Sequence, residues 1–487
     1  MRRWRLALFC LTILLLTATA ARAFYLDADG AIELKGKLET RLSLSTEETD
    51  GLTSPHADAG ELVQERNLAY VEFNHDLRTG SRLGFDLKYH LLGRFLYEGI
   101  YDFGPQEYQD VRKANRDAID DFKLDGDLWE GYVDFSKGAF FTRIGRQKLA
   151  WGETDLFRLL DNINPLDNTF GGITEDLDDR RIPIFMTRAN YNFGKVGPVS
   201  SFALEAFLSP AFIDQKVSPF APLGTRYNYP FPLPDGTVLP IDEPDETLEN
   251  SRYGIRQTGV LGDNLNYTLA YMHTIPDVFG AHINLDHPES YFFELVYDPV
   301  DIVGGSINYY WGLADAVIRS EVAWFMDEPV FVPEVNLLPD PIAGDIPKKD
   351  FLRYMIGFDK QIWMRALNDT QTFFIALQYF GQWADAYDDR MTMAVPITAD
   401  LSRFPAVKEY EQTVTGAIST KYWHGKLEPQ LAVAYDMRGA VFIQPQLNYL
   451  IDPFRIKLQY STIEGNFTGF GVLRDRDQVS LIVTWLF

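Results

Sequence analysis

The sequence predicts an all-β protein, a transmembrane antiparallel β-barrel of about 18 strands with long extracellular loops. Three observations carry that expectation. The last residues, Asp477 to Phe487, alternate apolar and polar and end on an aromatic residue. The connections between alternating segments are by turns short and long, the rhythm of short periplasmic turns and long outer loops. A continuous apolar run long enough to suggest export occurs only at the N-terminus, so any membrane span must be built from strands.

The N-terminal element reads as a secretory signal. Met1-Arg2-Arg3-Trp4-Arg5 is basic, Leu6 to Ala20 is apolar, and Ala21-Arg22-Ala23 supplies small residues for cleavage before Phe24. Residues 1–23 are therefore expected to be a signal peptide and 24–487 the barrel. A membrane anchor is the lesser alternative, since the apolar stretch is shorter than the roughly 20 residues a spanning helix needs. Cys10, the one cysteine, lies in this segment, so the exported chain forms no disulfide.

The strands follow in order. Leu34, Gly36, Leu38, Thr40 and Leu42 make the outer face of the first, with Glu33, Lys35, Lys37, Glu39 and Arg41 inside. Leu83, Phe85, Leu87, Tyr89 and Leu91 repeat the pattern with Arg82, Asp86, Lys88 and His90 inside. Tight-turn compositions recur at Arg78-Thr79-Gly80, Ser136-Lys137-Gly138, Gly194-Lys195-Val196-Gly197, Gly262-Asp263-Asn264, Asn368-Asp369-Thr370, His424-Gly425 and Asp452-Pro453. Long connections fall near 46–61, 96–125, 149–181, 209–250, 275–288, 327–349 and 383–407. Counts of roughly 16 or 20 strands remain open. Residues 291–312 are taken as one long strand turning near Gly312, because two strands would send the 327–349 connection to the periplasm. Pro429 and Pro445 within strands mark bulges or strand ends. In the last strand Val479, Leu481, Val483, Trp485 and Phe487 face lipid while Ser480 and Thr484 turn inward. Tyr309, Tyr310, Trp311, Trp363, Tyr422, Trp423, Trp485 and Phe487 are expected in interfacial girdles, with sugar stacking as the alternative.

Composition limits the function. Removing residues 1–23 deletes Arg2, Arg3, Arg5 and Arg22 and no acid, taking the formal charge from −24 to −28. Nucleic acid is excluded as a partner. The excess acid is expected in solvated loops, as at Asp117, Asp120, Asp121, Asp125 and Asp127, facing lipopolysaccharide, with a dedicated divalent-ion site as the lesser alternative. The chain has no Gly-x-Ser-x-Gly, no His-Glu-x-x-His and no haem-attachment motif, and its seven histidines show no ligand spacing. No catalytic residue, metal ligand or cofactor is expected, and the chain is read as a non-enzyme. Asp27-Ala28-Asp29-Gly30 lacks the later bidentate acid of a calcium loop and reads as a turn.

The expected lumen lining is Lys35, Lys37, Arg41, Arg82, Lys88, Arg143, Arg188, Arg319, Glu321, Arg353, Asp359, Glu411 and Lys457. An interior so charged must hold water or ion pairs. The richest segment runs from Arg143 through Trp151-Gly152-Glu153 and Asn162-Ile163-Asn164-Pro165 to Arg180-Arg181. Phe157, Leu159, Leu160 and Ile163 need a partner, which an inward fold would supply on lumen aromatics such as Phe374 and Phe380. The expected constriction therefore presents Trp151, Glu153, Asp155, Asp161, Asn162 and Asn164. A loop over the outer surface is the alternative. Strict alternation turns Arg146 outward at the rim, and only a bulge would bring it in.

The ordered set Gly145-Arg146-Gln147, Trp151-Gly152-Glu153, Asn162-Ile163-Asn164-Pro165 and Asp167 resembles a proteobacterial outer-membrane family known only as domain of unknown function 1302. That family is distantly similar to alginate-export porins, which share a Gly-Arg-Gln strand. Val317 to Trp324 resembles its arginine-glutamate strand. The resemblance implies envelope transport beside an inner-membrane transporter and a periplasmic carrier, after insertion by the barrel-assembly machinery. The chain departs from the pattern at Thr154-Asp155-Leu156-Phe157 and in its acidic 173–181 stretch, which puts a shared substrate in doubt. The expected function is thus an outer-membrane channel or transport protein for an unidentified substrate, a hydrophobic molecule being one candidate. The alternatives are an anionic polysaccharide export porin, a plugged structural barrel and a surface hydrolase.

Overall fold

The computed structural model describes residues 24–49, 55–77, 84–337, 346–396 and 403–487. The expected signal peptide, the Arg78-Thr79-Gly80 turn and the lumen position Arg82 lie outside the described residues.

Period-two alternation becomes wall. The strands are β1 (Ile32–Ser45), β2 (Leu62–Asp76), β3 (Asp86–Glu98), β4 (Leu124–Lys137), β5 (Phe140–Gln147) and β6 (Ile184–Val196). They continue as β7 (Val199–Ser209), β8 (Arg252–Leu261), β9 (Leu265–Thr274), β10 (Val300–Trp311), β11 (Ala316–Pro329) and β12 (Lys348–Ile362). The last six are β13 (Phe373–Ala384), β14 (Tyr410–Ser419), β15 (Leu427–Asp436), β16 (Ala440–Ile451), β17 (Phe454–Gly465) and β18 (Gln478–Leu486). Each pairs antiparallel with the next. The circle closes between β18 and β1, with Leu38 opposite Trp485 and Ser43 opposite Ser480. The result is the expected closed 18-stranded barrel. Closure removes the sheet edges, the condition for a sheet to cross a bilayer.

The outward residues make an apolar belt. Leu269 is 57% exposed, Ile356 55%, Leu377 49% and Leu481 41%. On a water-soluble protein such a belt would be a liability; around a closed barrel it is the lipid-facing surface of an outer-membrane protein. Inward neighbours are buried and polar, as where the Ser43 and Ser480 hydroxyls meet at 2.8 Å. The aromatic residues Tyr309, Tyr310, Trp311, Trp363, Tyr422, Trp423 and Trp485 all gather at the end carrying the short turns. At the seam, the Gly36 and Phe487 backbones exchange hydrogen bonds of 2.7 and 3.0 Å. A Cβ at Gly36 would lie 2.6 Å from the Phe487 ring and 2.4 Å from the Tyr70 carbonyl, so glycine is required there.

The long connections share the other end. Three expectations change. Residues 291–299 are not barrel wall: Phe293–Val296 joins Gly280–Ile283 and Ile241–Asp242 in a small three-stranded sheet of the loops. An apolar extended stretch looks alike in either place, and its partner decides. The turn at 312–315 and the single wall strand stand as expected. Asp125 and Asp127 are strand residues of β4 paired with Arg94 and Arg146 at 2.7 and 2.5 Å, not solvated loop acids. Phe374 lies near the short-turn end of β13, 42% exposed, and the Phe157 ring meets Phe380 and Phe470 instead. Among the described residues no helix is long and apolar enough to cross a membrane.

The packed cores sit inside the cylinder and over its long-loop end. One lies in the lumen and is described below. Another joins Leu223, Phe231, Leu239, Leu295, Phe331 and Phe404 from several loops into a cap.

Candidate functional site

Residues 148–183, between β5 and β6, fold into the lumen. Leu149, Trp151, Leu159, Leu160 and Ile163 are buried against inward side chains of the wall, among them Met186, Phe207, Met272, Ile302, Phe325 and Met355. Burying an apolar side chain of this size is worth about 1.5–3 kcal/mol, which decides the inward fold over a path through water. The Phe157 ring meets Phe380 edge-on at 5.3 Å and stacks on Phe470 at 6.3 Å.

Two alternate residues of β11 hold the loop backbone. The buried Glu321 carboxylate accepts the Glu153 N–H at 2.6 Å and the Leu160 N–H at 2.7 Å. Arg319 donates to the Glu153 carbonyl at 2.6 Å and to the Asp155 carboxylate at 2.8 Å, while also meeting Asp359 at 3.0 Å. Gln378 of β13 donates to the same Asp155 carboxylate at 2.9 Å. Both faces of one peptide segment are thereby tied to the wall.

The far wall has its own anchor. Glu175 receives Arg41 at 2.5 Å and Arg66 in a second, shorter contact, with all three side chains buried. Burial alone would push this carboxyl up, but Arg66 and Arg41 hold it down at about 2. Gln444 and Gln459 donate to the Thr174 carbonyl at 2.9 and 3.1 Å, and Lys457 reaches Asp176 at 3.3 Å. On a third side the Trp151 indole N–H donates to Glu205 at 2.7 Å, and Glu205 also takes Arg188 at 3.0 Å and Arg256 at 3.1 Å. The loop thus crosses the whole lumen.

Its internal geometry is fixed by asparagines. Asn164 accepts the Leu149 N–H at 2.8 Å and donates to the Ile182 carbonyl at 2.8 Å, joining the two ends of the loop. Asn162 donates to the Leu159 carbonyl at 2.6 Å, and its own carbonyl accepts Thr274 at 2.6 Å. Asp161 pairs with Arg181 of the same loop, and burial raises its carboxyl above the usual range against the pull of Arg158 and Arg181. Arg181 also meets Asp178.

Space remains on either side. Toward the β1–β5 wall lies a cavity of about 450 Å³, lined by Lys35, Lys37, Tyr70, Trp129 and Lys148 among others. Toward β12–β15 lie two adjoining lobes of about 290 and 370 Å³ that share Arg353, Gln382, Glu411 and Arg438.

The remaining lumen positions are ion-paired. Lys35 meets Glu72 at 3.1 Å, Lys37 meets Glu39 at 3.9 Å, and Lys88 meets Asp76 at 2.9 Å. Arg143 meets Asp134 at 2.6 Å, Arg353 meets Glu328 at 2.5 Å, and Glu411 receives Arg438. The Glu153 carboxylate takes no part in the clamp; its backbone does. Arg146 sits at the rim, donating to Asp127 and to the carbonyls of Leu128 at 3.0 Å and Pro183 at 3.1 Å. Two irregularities flank it, the register shift in β4 beside Leu128 and the φ of +134° at Gly145.

Sequence reasoning missed Glu175, Arg66, Glu205 and Arg438 as partners of the loop and lumen. Alternation along β2 and β7 places Arg66 and Glu205 inward. For Glu175 the signal was weaker: an acid between apolar Ile173 and Leu177 in a segment already assigned to the interior.

The family model described as protein of unknown function (DUF1302) matches residues 3–487. No curated protein matches the chain. Among solved structures, Pseudomonas aeruginosa OccK1 (OpdK) is similar at 10% identity over 93% of this chain and 98% of its own, with a TM-score of 0.45. Acinetobacter baumannii OccAB2 is similar at 9% identity over 94% and 98%, TM-score 0.48. A BenF-like porin from Pseudomonas fluorescens Pf-5 is similar at 10% identity over 94% and 98%, TM-score 0.47. Likeness this distant adds nothing to what the barrel's own closure and belt establish.

Proposed function

Because the chain belongs to the family described as protein of unknown function (DUF1302), whose description assigns no substrate, we propose a function from the lumen itself. The protein is an outer-membrane transport barrel whose passage is narrowed by residues 148–183, with the long loops outside the cell and the short turns toward the periplasm. The observation that carries this reading is the clamp of Arg319 and Glu321 on the Glu153–Leu160 backbone. The clamp holds this segment across the lumen beside cavities of about 450, 290 and 370 Å³, so the interior is narrowed without being filled, which suits a size- and charge-selective channel better than a plug.

The pairing of lumen arginines with acids favours this over export of an anionic polysaccharide, which would be drawn by unopposed positive charge. The site is one of passage and not of chemistry. Assembly by the barrel-assembly machinery and contact with an inner-membrane transporter or periplasmic carrier at the short-turn end complete the proposal. Planar-bilayer recording tests it. Discrete steps of small conductance are expected from the purified full chain. Electrical silence both in that protein and in a folded clamp-weakened variant would mean a plug and overturn the reading.

A further inference from the structure

The two adjoining lobes on the β12–β15 side have a lining that selects by chemistry. One side is apolar and aromatic: Phe157, Phe380 and Phe470 at the constriction, then Phe331, Phe351 and Val395 toward the loops. The other carries charge that sums to zero. Arg353 donates two hydrogen bonds to Glu328, at 2.5 and 2.8 Å, and a third to Gln382 at 2.6 Å. Arg438 chelates Asp436 at 2.6 and 3.0 Å and also meets Glu411. Arg158 is paired with Asp277, whereas Arg180 donates to Asn168 at 2.8 Å and Arg438 takes two acids, so the lobes present four cations against four acids in sum.

A free anion entering would have to displace a bidentate carboxylate to reach Arg353 or Arg438, and lobes with no net charge offer it little in return. A purely polar solute would leave the three phenylalanines against water. A molecule with an aromatic or alicyclic face and neutral hydroxyl or amide groups satisfies both sides, since neutral donors and acceptors can join the ladder without breaking it. Resting on the transport reading above, we infer that these lobes are the binding site for a small neutral amphipathic substrate, and that the ring contact of Phe157 with Phe380 and Phe470 is the gate it must pass.

Three water-soluble probes separate the possibilities by isothermal titration on the purified full barrel: phenyl glucoside, phenyl glucuronide and methyl glucoside. The first is neutral with a ring, the second carries the same ring with a carboxylate, and the third is neutral without a ring. Phenyl glucoside is expected to bind at least about tenfold more tightly than either other probe, and Phe380→Ser to lower that affinity about tenfold. Phe470→Ser, in a loop, gives the same result should the strand variant fold poorly. Equal or tighter binding of the glucuronide, or no binding of any probe to a folded barrel, overturns the inference. Binding as expected with no flux of phenyl glucoside into proteoliposomes would overturn the transport reading alone.

Discussion

Replacing Glu321 with alanine removes both acceptors that hold the Glu153 and Leu160 amides, at 2.6 and 2.7 Å. Each hydrogen bond to a charged partner is worth about 1.5–3 kcal/mol. Water in the neighbouring lobes can reach part of what is exposed, so the net loss of docking is taken as about 3 kcal/mol, near the lower limit for the pair. That shifts the ratio of docked to undocked loop by about a hundredfold. Glu321→Gln, which keeps one acceptor, should shift it by about tenfold. In single-channel recording the alanine variant should show larger or more frequent open levels, ordered wild type, glutamine, alanine. Val322→Ala, one residue along and facing lipid, should behave as wild type. If a correctly folded, heat-modifiable Glu321→Ala barrel has wild-type conductance and noise, the clamp does not hold the constriction.

The opposite wall should respond to acid. The Glu175 carboxyl lies at about 2, below its ordinary 4.5, so its anchoring of the loop is complete above pH 4.5 and is lost as pH falls toward 2. Glu175→Gln should remove that acid step from the conductance-pH curve, and an unchanged step would assign it elsewhere. At the lipid face, Leu377→Arg should cost about 2–4 kcal/mol of folding stability in bilayers, whereas Lys457→Gln should be tolerated; equal sensitivity of the two would contradict the register. Deleting Phe487, which closes the seam onto Gly36, should lower outer-membrane assembly and leave unfolded protein in the periplasm. Normal heat-modifiable migration of the deletion would remove that residue's role.

The wall was legible because a barrel strand meets lipid on one face and a wet interior on the other, so each strand writes its register into period two. Leu481 and Ser480 show this with no knowledge of their neighbours. The interior loop was visible for a related reason: Phe157, Leu159, Leu160 and Ile163 are too apolar to be left in water between two strands. What holds the loop was less visible. Glu175 meets Arg41 and Arg66 across more than a hundred residues of chain, and pairing at such separation leaves no local pattern. Phe374 and Phe380 have the same inward parity on β13, and only the depth reached by the loop distinguishes them. Residues 293–296 read as wall because extended apolar chain has one signature whether its partner is a barrel strand or another loop.

In the proposed channel, residues 148–183 set the width of the passage. Shortening residues 154–176 to a glycine-rich turn removes Asp155, Phe157, Leu160 and Asp161 together, while leaving the strands on either side intact. Single-channel conductance of that barrel should rise well above the wild-type level, and its ion selectivity should change with the loss of the loop's acids. Unchanged conductance and selectivity in a correctly folded barrel would mean that this segment does not narrow the passage.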